Sequence, residues 1–224
     1  MTAGPIRLLI ADDQANIRSA FRIILEAQPD MRVVAEAADG RAAVERAREL
    51  RPDVVLADVR MPGLDGLEVT RLLAGPDVAD PIPVVVVTTF DLDEYVYAAL
   101  RNGACGFVLK RSGPALLAEA VRAAVSGDTL ISPQVTVRLL RQLAVRDAPG
   151  EPGATRALTE RERVVVRMVA EGMTNAEIGG ALHISAGTVK NHIASIHRKL
   201  GTRNRVGIAG WAWRTGNAGR AGPG

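Results

Sequence analysis

The first 130 residues alternate between short apolar runs and segments with helical spacing. Five runs are apolar and of strand length: Ile6–Ala11, Met31–Ala38, Asp53–Asp58, Val84–Thr89 and Gly106–Leu109. The segments between them repeat apolar residues every three or four positions, which predicts helices, the last one opened by Ser112. Apolar strands that alternate with helices indicate a parallel sheet covered on both faces. We therefore predict an α/β flavodoxin-like domain over residues 1–130, with a five-stranded parallel doubly wound sheet.

The rest of the chain has an entirely helical pattern. Residues 132–146 predict a linker helix, and residues 147–155 contain two Pro-Gly breaks without an apolar period, which indicates a flexible tether. Linker helix and tether together occupy residues 131–156. Residues 216–224 contain little that could pack, and we predict a disordered tail there.

The segment between tether and tail predicts a small domain of helices. Hydroxyl residues that match helix N-caps precede three of them: Thr159, Thr174 and Ser185. A fourth helix is predicted at residues 205–213. The short break at His183-Ile184 gives helix-turn-helix spacing. We predict an all-α four-helix helix-turn-helix domain over residues 157–215.

Charge is divided unequally between the two predicted domains. Residues 1–130 carry 14 basic and 19 acidic side chains, a net charge of −5. Residues 131–224 carry 14 basic and 6 acidic side chains, a net charge of +8. A basic module joined to an acidic one indicates that the basic module binds a polyanion.

Composition also excludes several classes of protein. Cys105 is the single cysteine, so no intramolecular disulfide can form. No apolar run approaches the roughly 20 residues that span a bilayer. Asp12-Asp13 follow the first apolar run too soon for a signal peptide. We therefore expect a soluble, cytoplasmic protein with no membrane partner.

Polar residues end four of the five predicted strands. In an open α/β sheet, ligands bind outside the carboxyl ends of the strands. The residues placed there are Asp12, Asp13, Asp58, Thr88 and Lys110. Clustered carboxylates repel one another and favour a bound cation, and hard oxygen ligands suit Mg²⁺. The sequence therefore predicts a Mg²⁺ site at this edge of the sheet.

The same residue types suit phosphoryl transfer. A carboxylate beside Mg²⁺ can attack a phosphoryl group and form an aspartyl-phosphate. The charge on the phosphoryl oxygens must then be neutralised by the metal on one side and by a cation and a hydroxyl on the other. Lys110 and Thr88 are the residue types required for this second side.

Over residues 6–126 the sequence resembles a response-regulator receiver domain. The resemblance rests on Leu8-Leu9-Ile10-Ala11-Asp12-Asp13, Asp58-Val-Arg-Met-Pro-Gly-Leu-Asp-Gly66, Val-Val-Thr88-Thr89-Phe90 and Gly106-Phe107-Val108-Leu109-Lys110. It implies that Asp58 is the phosphoacceptor. It also implies that Asp12, Asp13 and the backbone carbonyl of Arg60 complete the metal site with Asp58.

The resemblance assigns further roles around the phosphoryl group. Thr88 would bond this group and Lys110 would pair with it. Phe107 lies where the family carries a switch aromatic, whose ring turns inward as Thr88 moves. Arg60 and Phe90 lie where such domains tune the lifetime of the phosphate.

Residues 185–200 carry the strongest signal for nucleic-acid binding. On a helical wheel, one side collects four aliphatic residues that predict a core stripe: Val189, Ile193, Ile196 and Leu200. The opposite side carries Asn191, Ala194 and Arg198, flanked by Lys190. Lys can reach guanine acceptors, Asn can pair with adenine and Ala permits close approach in the DNA major groove. A solvated surface helix is the alternative, and the helix-turn-helix spacing and the +8 charge decide against it.

The basic module closely resembles a LuxR-type helix-turn-helix domain. The matching motifs are Leu158-Thr-Glu-Arg-Glu162, Glu171-Gly-Met-Thr-Asn-Ala-Glu-Ile178, Ile184-Ser-Ala-Gly-Thr-Val-Lys-Asn-His192 and Arg198-Lys-Leu200. The resemblance implies phosphate contacts from Thr174 and Asn175 at a helix N-terminus. It also implies that Lys190 and Asn191 face bases. The full implied set of DNA-binding residues is Thr174, Asn175, Thr188, Lys190, Asn191, Arg198 and Lys199, of which Arg198 and Lys199 mostly hold the backbone.

The two resemblances together imply a two-component response regulator of the NarL/FixJ type. The implied partners are a sensor histidine kinase, double-stranded promoter DNA, RNA polymerase and a second copy of the chain after phosphorylation. Trp211 and Trp213 fall in the fourth helix, where this family pairs subunits; core packing is the alternative for both. Gly179-Gly180 departs from the family pattern, and two glycines inside a helix cost about 1–2 kcal/mol.

Two other functions are compatible with parts of this pattern. One is a DNA-binding regulator that works without phosphorylation and uses its receiver only as a dimerisation scaffold; the complete acidic set argues against it. The other is an aspartyl-phosphate phosphatase. Haloacid-dehalogenase-like phosphatases use Asp-x-Asp, and the residue two after Asp58 is Arg60, so the proton shuttle is missing. The protein is therefore predicted not to be an enzyme, apart from self-catalysed phosphotransfer to Asp58 and hydrolysis from it.

Overall fold

The computed structural model of the protein describes residues 4–89, 92–131, 158–202 and 204–217. Three sequence predictions lie outside the described residues: the linker helix at 132–146, the tether at 147–155 and all but the first two residues of the tail. The lifetime-tuning position Phe90 also lies outside them.

The N-terminal part alternates strands and helices. In chain order the elements are β1 (Ile6–Ala11), α1 (Ala15–Glu26), β2 (Met31–Ala37), α2 (Gly40–Leu50), β3 (Val54–Ala57), α3 (Gly66–Ala74), β4 (Val84–Thr88), α4 (Asp93–Arg101), β5 (Gly106–Leu109), α5 (Pro114–Ser126) and β6 (Leu130–Ile131). The sheet has the order β2-β1-β3-β4-β5-β6, and all of its strands are parallel. The α/β parallel fold is therefore confirmed.

Two details of the predicted domain are wrong. The described sheet has six strands rather than five, because Leu130–Ile131 pairs with β5. A two-residue strand is too short to produce a periodic signal in the sequence. The last helix begins after Gly113, whose φ is +87°, and Ser112 lies in a 3₁₀ turn before it.

Each strand buries side chains on both of its faces. In β1, Leu8 and Ile10 contact one core that includes Phe21 of α1 and Leu117 of α5. The alternating residue Leu9 contacts a second core against α2 and α3. Because successive side chains of a strand point to opposite faces, helices on both sides leave no acidic residue inside β1, β3, β4 and β5, whereas the edge strand β2 carries Glu36. Polar residues are therefore displaced to the strand ends.

The C-terminal part is helical in the residues described. Its elements are α6 (Glu160–Ala170), α7 (Asn175–Leu182), α8 (Ala186–Leu200) and α9 (Arg205–Arg214). Thr159 and Thr174 form the reciprocal hydrogen bonds of a capping box with Glu162 and Glu177, and Ser185 caps α8. Nowhere in the described ranges is a helix both long and apolar enough to cross a membrane.

The two glycines of α7 differ in their surroundings. A Cβ on Gly179 would lie 2.8 Å from the carbonyl oxygen of Ile184, in the turn that leads to α8. A Cβ on Gly180 would meet nothing within 4 Å, and this residue is exposed. Gly179 is therefore required by the close approach of the turn, whereas Gly180 only weakens the helix.

We expect opposite effects from alanine at these two positions. Gly180→Ala should stabilise the helical domain by about 0.5–1 kcal/mol, because it reduces the entropy of the unfolded chain. Gly179→Ala should destabilise it by about 1–3 kcal/mol through overpacking against the turn. Urea unfolding followed by tryptophan fluorescence measures both, because Trp211 and Trp213 both lie in α9. Changes of the same sign would contradict the distinction.

Candidate functional site

Strand register brings Asp12 and Asp58 side by side. Ala11, the last residue of β1, pairs with Ala57, the last residue of β3, and an aspartate follows each of them. The Asp58 amide donates to the carbonyl of Ala11 at 2.9 Å. Both side chains are almost fully buried, whereas Asp13 is exposed at the mouth of the site. One carboxylate oxygen from each of the three residues lies within 4.8 Å of the other two.

Lys110 lies between the two buried carboxylates. Its Nζ is 2.6 Å from Oδ2 of Asp12 and 2.7 Å from Oδ2 of Asp58. The other carboxylate oxygen of Asp58, Oδ1, is buried and has no hydrogen-bond partner among the described residues. Desolvating a carboxylate oxygen without a partner is costly. Oδ1 of Asp58 is therefore suited to bind a cation or a transferred group.

The electrostatics of the cluster reflect its burial. Burial raises the pKa of the Asp12 carboxyl, hydrogen bonds from Lys110 and Gln14 offset this only in part, and the charge on Asp58 adds to the rise. Burial lowers the pKa of the Lys110 ammonium, but its hydrogen bonds to both carboxylates outweigh this and leave the pKa above its usual value. The site therefore has more negative charge than one lysine satisfies.

The other predicted receiver residues surround this cluster. Thr88 ends β4 and is fully buried, and it pairs in register with Leu109, the residue before Lys110. The ring of Phe107 is also fully buried and already lies inside the domain, packed against α4 residues such as Val96. Arg60 is exposed and lines a cleft beside Asp13, together with Met61, Pro62 and Tyr95. This cleft gives access to the acidic cluster from solvent.

Helix α8, the recognition helix that we predict to enter the DNA major groove, has the predicted aliphatic side and polar side. Val189, Ile193 and Ile196 are buried in the core of the helical domain. Asn191 and Arg198 are exposed on the opposite side. Thr188 is half-buried and contacts Ser185, the N-cap of the helix. Thr174 likewise hydrogen-bonds Glu177 at the start of α7.

Three more of the residues predicted to bind DNA have protein partners in this structure. Lys190 Nζ donates to the carbonyl of Val125 at 3.0 Å. Asn175 is buried, and its Nδ2 donates to the carbonyl of Ser126 at 2.8 Å. Lys199 Nζ lies 2.6 Å from Oε2 of Glu162. The first two contacts join the helical domain to the C-terminal end of α5.

Two further residues, which the sequence did not single out, complete this contact between the domains. Asn204 Nδ2 donates to the carbonyls of Leu100 and Ala104, at 2.7 and 3.1 Å. Arg205 Nη1 lies 3.1 Å from Oδ1 of Asp128 and 2.8 Å from Oδ1 of Asn175. No short-range pattern could have revealed these pairs, because Asn204 and Leu100 are 104 residues apart.

Glu162 has a larger role than the predicted helix cap. It lies almost fully buried between α6 and α8 and accepts from Lys199 at 2.6 Å and from Ser195 at 2.8 Å. Burial alone would raise its pKa, but the hydrogen bonds from Lys199, Thr159 and Ser195 lower the pKa of Glu162 to about 2. Glu162 therefore holds the recognition helix to α6.

The lowered pKa predicts a pH dependence of stability. A carboxyl whose pKa falls on folding stabilises the folded state above its unfolded pKa, near 4.5, and loses this contribution as the pH falls towards about 2. Glu162→Gln should therefore destabilise the helical domain by about 1–3 kcal/mol at pH 7. Urea unfolding of wild type and variant at several pH values checks this. The difference should shrink below pH 4.5, and a difference independent of pH would contradict the assignment.

A receiver-like acidic site in one domain and a helix-turn-helix in the other define a class of protein, and comparison with known proteins supports the same class. The sequence-family model of the response regulator receiver domain matches residues 8–122. The model of bacterial regulatory proteins of the luxR family matches residues 156–212.

Relatives are similar over nearly their whole length. Transcriptional regulatory protein LiaR of Bacillus subtilis is 39% identical over 93% of this chain and 97% of its own. Nitrate/nitrite response regulator protein NarP of Escherichia coli is 38% identical over 91% of this chain and 93% of its own. Among solved structures, response regulator ChrA of a heme-sensing two-component system aligns with a TM-score of 0.53 and 34% identity, covering 96% of this chain and 99% of its own.

The protein therefore belongs to the response-regulator family, and its second domain is of the LuxR type. The resemblance inferred from its motifs is confirmed. The prediction that the chain is a two-component transcription regulator, rather than a typical enzyme, is confirmed as well. A complex of the response regulator RcsB with DNA is also similar, with a TM-score of 0.56 and 26% identity over 94% of this chain and 99% of its own.

Proposed function

We propose that phosphorylation of Asp58 converts this response regulator from a closed form into one that binds promoter DNA. The observation that carries the proposal is the unsatisfied Oδ1 of Asp58, which is buried beside Lys110 in the acidic cluster. The domains we assign are a receiver at residues 1–130, a linker at 131–156 and a DNA-binding domain at 157–215.

The donor set of the site fits Mg²⁺. Three carboxylates meet within 4.8 Å, and we assign the carbonyl of Arg60 as a fourth ligand. Bound Mg²⁺ supplies positive charge that neutralises phosphoryl oxygens during transfer. Lys110 provides the complementary charge from the opposite side of Asp58, and Thr88 provides a hydroxyl donor.

The transfer itself uses the carboxylate of Asp58 as nucleophile. An oxygen of Asp58 forms a bond to the phosphorus of a phosphohistidine on a sensor kinase, or of acetyl phosphate. The bond from phosphorus to the donor breaks, and its electron pair leaves with the donor. Lys110 then pairs with the new phosphoryl oxygens, and Thr88 moves towards them. Hydrolysis of the same acyl phosphate resets the protein.

The closed form is supported by the contacts between the two domains. Asn175 and Lys190, which we assign to DNA binding, are hydrogen-bonded to carbonyls at the end of α5. These contacts place the receiver against residues that we assign to DNA binding. Asn204 and Arg205 anchor the other edge of this contact. We therefore propose that this arrangement is the resting state.

The buried core around Phe107 links Asp58 to this contact. Phe107 packs in one cluster with Leu100 and Ala104, whose carbonyls hold Asn204. Thr88 pairs in register with Leu109, which belongs to the same cluster. A shift of Thr88 towards a phosphoryl group therefore alters packing directly beneath the carbonyls that Asn204 contacts, which releases the DNA-binding domain.

The released domain is proposed to bind DNA as a homodimer. Exposed Trp213 on α9 offers an apolar contact for a second copy, and paired recognition helices suit a two-fold site. Asn191 and Lys190 would then face bases, while Thr174, Asn175, Thr188 and Arg198 contact the backbone. Recruitment or exclusion of RNA polymerase at the promoter follows from this binding.

Genome-wide DNA capture with and without a phosphodonor tests the proposal. We expect full-length protein treated with acetyl phosphate and Mg²⁺ to enrich a set of two-fold related sites, and untreated protein to enrich them weakly. Equal enrichment under both conditions would instead support the alternative of a regulator that works without phosphorylation.

A further inference from the structure

The loop between β1 and α1 carries two of the three carboxylates but is weakly anchored by its own helix. Gln14, the residue before α1, makes no side-chain capping hydrogen bond. The main anchor within the loop is the contact from the Gln14 amide to Oδ1 of Asp12 at 3.0 Å. This contact occupies one carboxylate oxygen of Asp12. The Asp12 amide also donates to the carbonyl of Ala37 at 3.1 Å, so it is the peptide between Asp12 and Asp13 that needs support from another part of the domain.

Arg18 supplies that support from the second turn of α1. Its Nη1 donates to the backbone carbonyl of Asp12 at 2.8 Å. Its Nε donates to Oε2 of Glu36 on β2 at 3.3 Å. The Arg18 side chain is only 17% exposed, so this bridge lies in a region of reduced dielectric. One guanidinium thus ties the loop to the neighbouring strand.

The carbonyl that Arg18 holds belongs to the peptide between Asp12 and Asp13. Fixing the plane of this peptide restricts the directions in which both carboxylates leave the backbone. Residues that hydrogen-bond to the metal ligands without contacting the metal typically contribute 10–100-fold to metal affinity. From this geometry we propose that Arg18 is a positioning residue for the divalent-cation site. The proposal rests on the Mg²⁺ site assigned under the proposed function.

Arg22 provides a matched control one turn further along α1. Its Nε also contacts Glu36, at 2.6 Å, and its Nη1 contacts Glu26 at 2.9 Å. Its Nη1 also donates to the carbonyl of Val33 at 3.5 Å, away from the loop. Loss of either arginine therefore removes an ion pair with Glu36, but only loss of Arg18 removes the contact to the Asp12 carbonyl.

Equilibrium Mg²⁺ binding to the full-length, unphosphorylated protein separates these roles. Isothermal titration calorimetry would compare wild type, Arg18→Met and Arg22→Met, because methionine keeps part of the apolar stem without the guanidinium. We expect Arg18→Met to weaken Mg²⁺ binding by about tenfold and Arg22→Met to change it less than twofold. Phosphorylation of Arg18→Met by acetyl phosphate should also need about tenfold more Mg²⁺ for its half-maximal rate, with a nearly normal rate at saturation.

Each result bears on the inference in a defined way. Unchanged Mg²⁺ affinity in Arg18→Met, or equal losses in both variants, would overturn it, since either outcome reduces Arg18 to an ordinary ion pair. A reduced rate at saturating Mg²⁺ with unchanged affinity would overturn it as well. Wild-type protein that bound no Mg²⁺ would overturn the proposed function and the inference together, so the two failures are distinguishable.

Discussion

Asp58→Asn is expected to abolish labelling of this protein by acetyl phosphate and Mg²⁺. An amide is not a nucleophile towards phosphorus, and it removes one of the three carboxylates of the cluster. The fold should persist, because Lys110 keeps its contact with Asp12 at 2.6 Å and the β1–β3 pairing involves only backbone atoms at this point. Intact-protein mass spectrometry measures the gain of one phosphoryl group.

Asp53→Asn is the matched control for this experiment. Asp53 lies at the opposite end of β3, where its carboxylate accepts from the Arg7 amide at 2.8 Å. An asparagine at this position keeps an acceptor oxygen, so labelling should proceed as in the wild type. Persistent labelling of Asp58→Asn, located by peptide mapping at Asp12 or Asp13, would show that the acceptor is assigned to the wrong carboxylate.

Asp128→Ala is expected to increase DNA binding by the unphosphorylated protein by about tenfold, the effect of weakening the closed form by about 1.4 kcal/mol. Arg205 is buried and pairs with Asp128 at 3.1 Å, and Asp128 also accepts from the Asn175 amide at 3.2 Å. Removing the carboxylate leaves a buried cation without its charge partner. Opening returns Arg205 to water and frees Asn175, so the open form is favoured.

The position of Asp128 makes this experiment specific. It lies in the receiver, before β6, so its replacement leaves the DNA-binding surface itself unchanged. Fluorescence anisotropy with a labelled duplex containing a captured site would compare wild type and Asp128→Ala, each in an Asp58→Asn background that prevents phosphorylation. Asp30→Ala is a suitable control, because Asp30 pairs with Arg122 inside the receiver. Unchanged affinity in Asp128→Ala would contradict the role of this pair in holding the closed form.

The acidic site could be predicted from the sequence because each of its residues lies at the end of a strand, and the strand ends of a parallel sheet meet at one edge. The strands β1, β3 and β5 end in buried apolar residues, so Asp12, Asp58 and Lys110 fall directly after them, and parallel strands bring those ends together. The short strand β6 escaped detection, since two residues carry no period. Phe107 could be placed on its strand, but its inward position depends on packing against α4.

The contacts between the domains could not be predicted in the same way. Asp128 and Arg205 are separated by 77 residues, and no spacing rule relates them. Lys190 and Asn175 could be proposed as DNA-binding residues from the helix pattern and the family resemblance, whereas their contacts with the receiver depend on how two separate domains meet. Gly179 could not be explained from the sequence either. A glycine inside α7 lowers the helix propensity, and the reason for it is the carbonyl of Ile184 in the following turn, which leaves no room for a Cβ.

The pairing of Lys199 with Glu162 affects how strongly ionic strength should govern DNA binding. Each phosphate neutralised by a cation releases counterions and adds about 0.9 to the slope of log affinity against log salt. A lysine already neutralised by a buried glutamate at 2.6 Å adds little to counterion release. The domain should therefore behave in salt titrations as if it carried fewer positive charges than its composition contains. The positive charge of Lys199 holds α8 in place instead of neutralising the duplex.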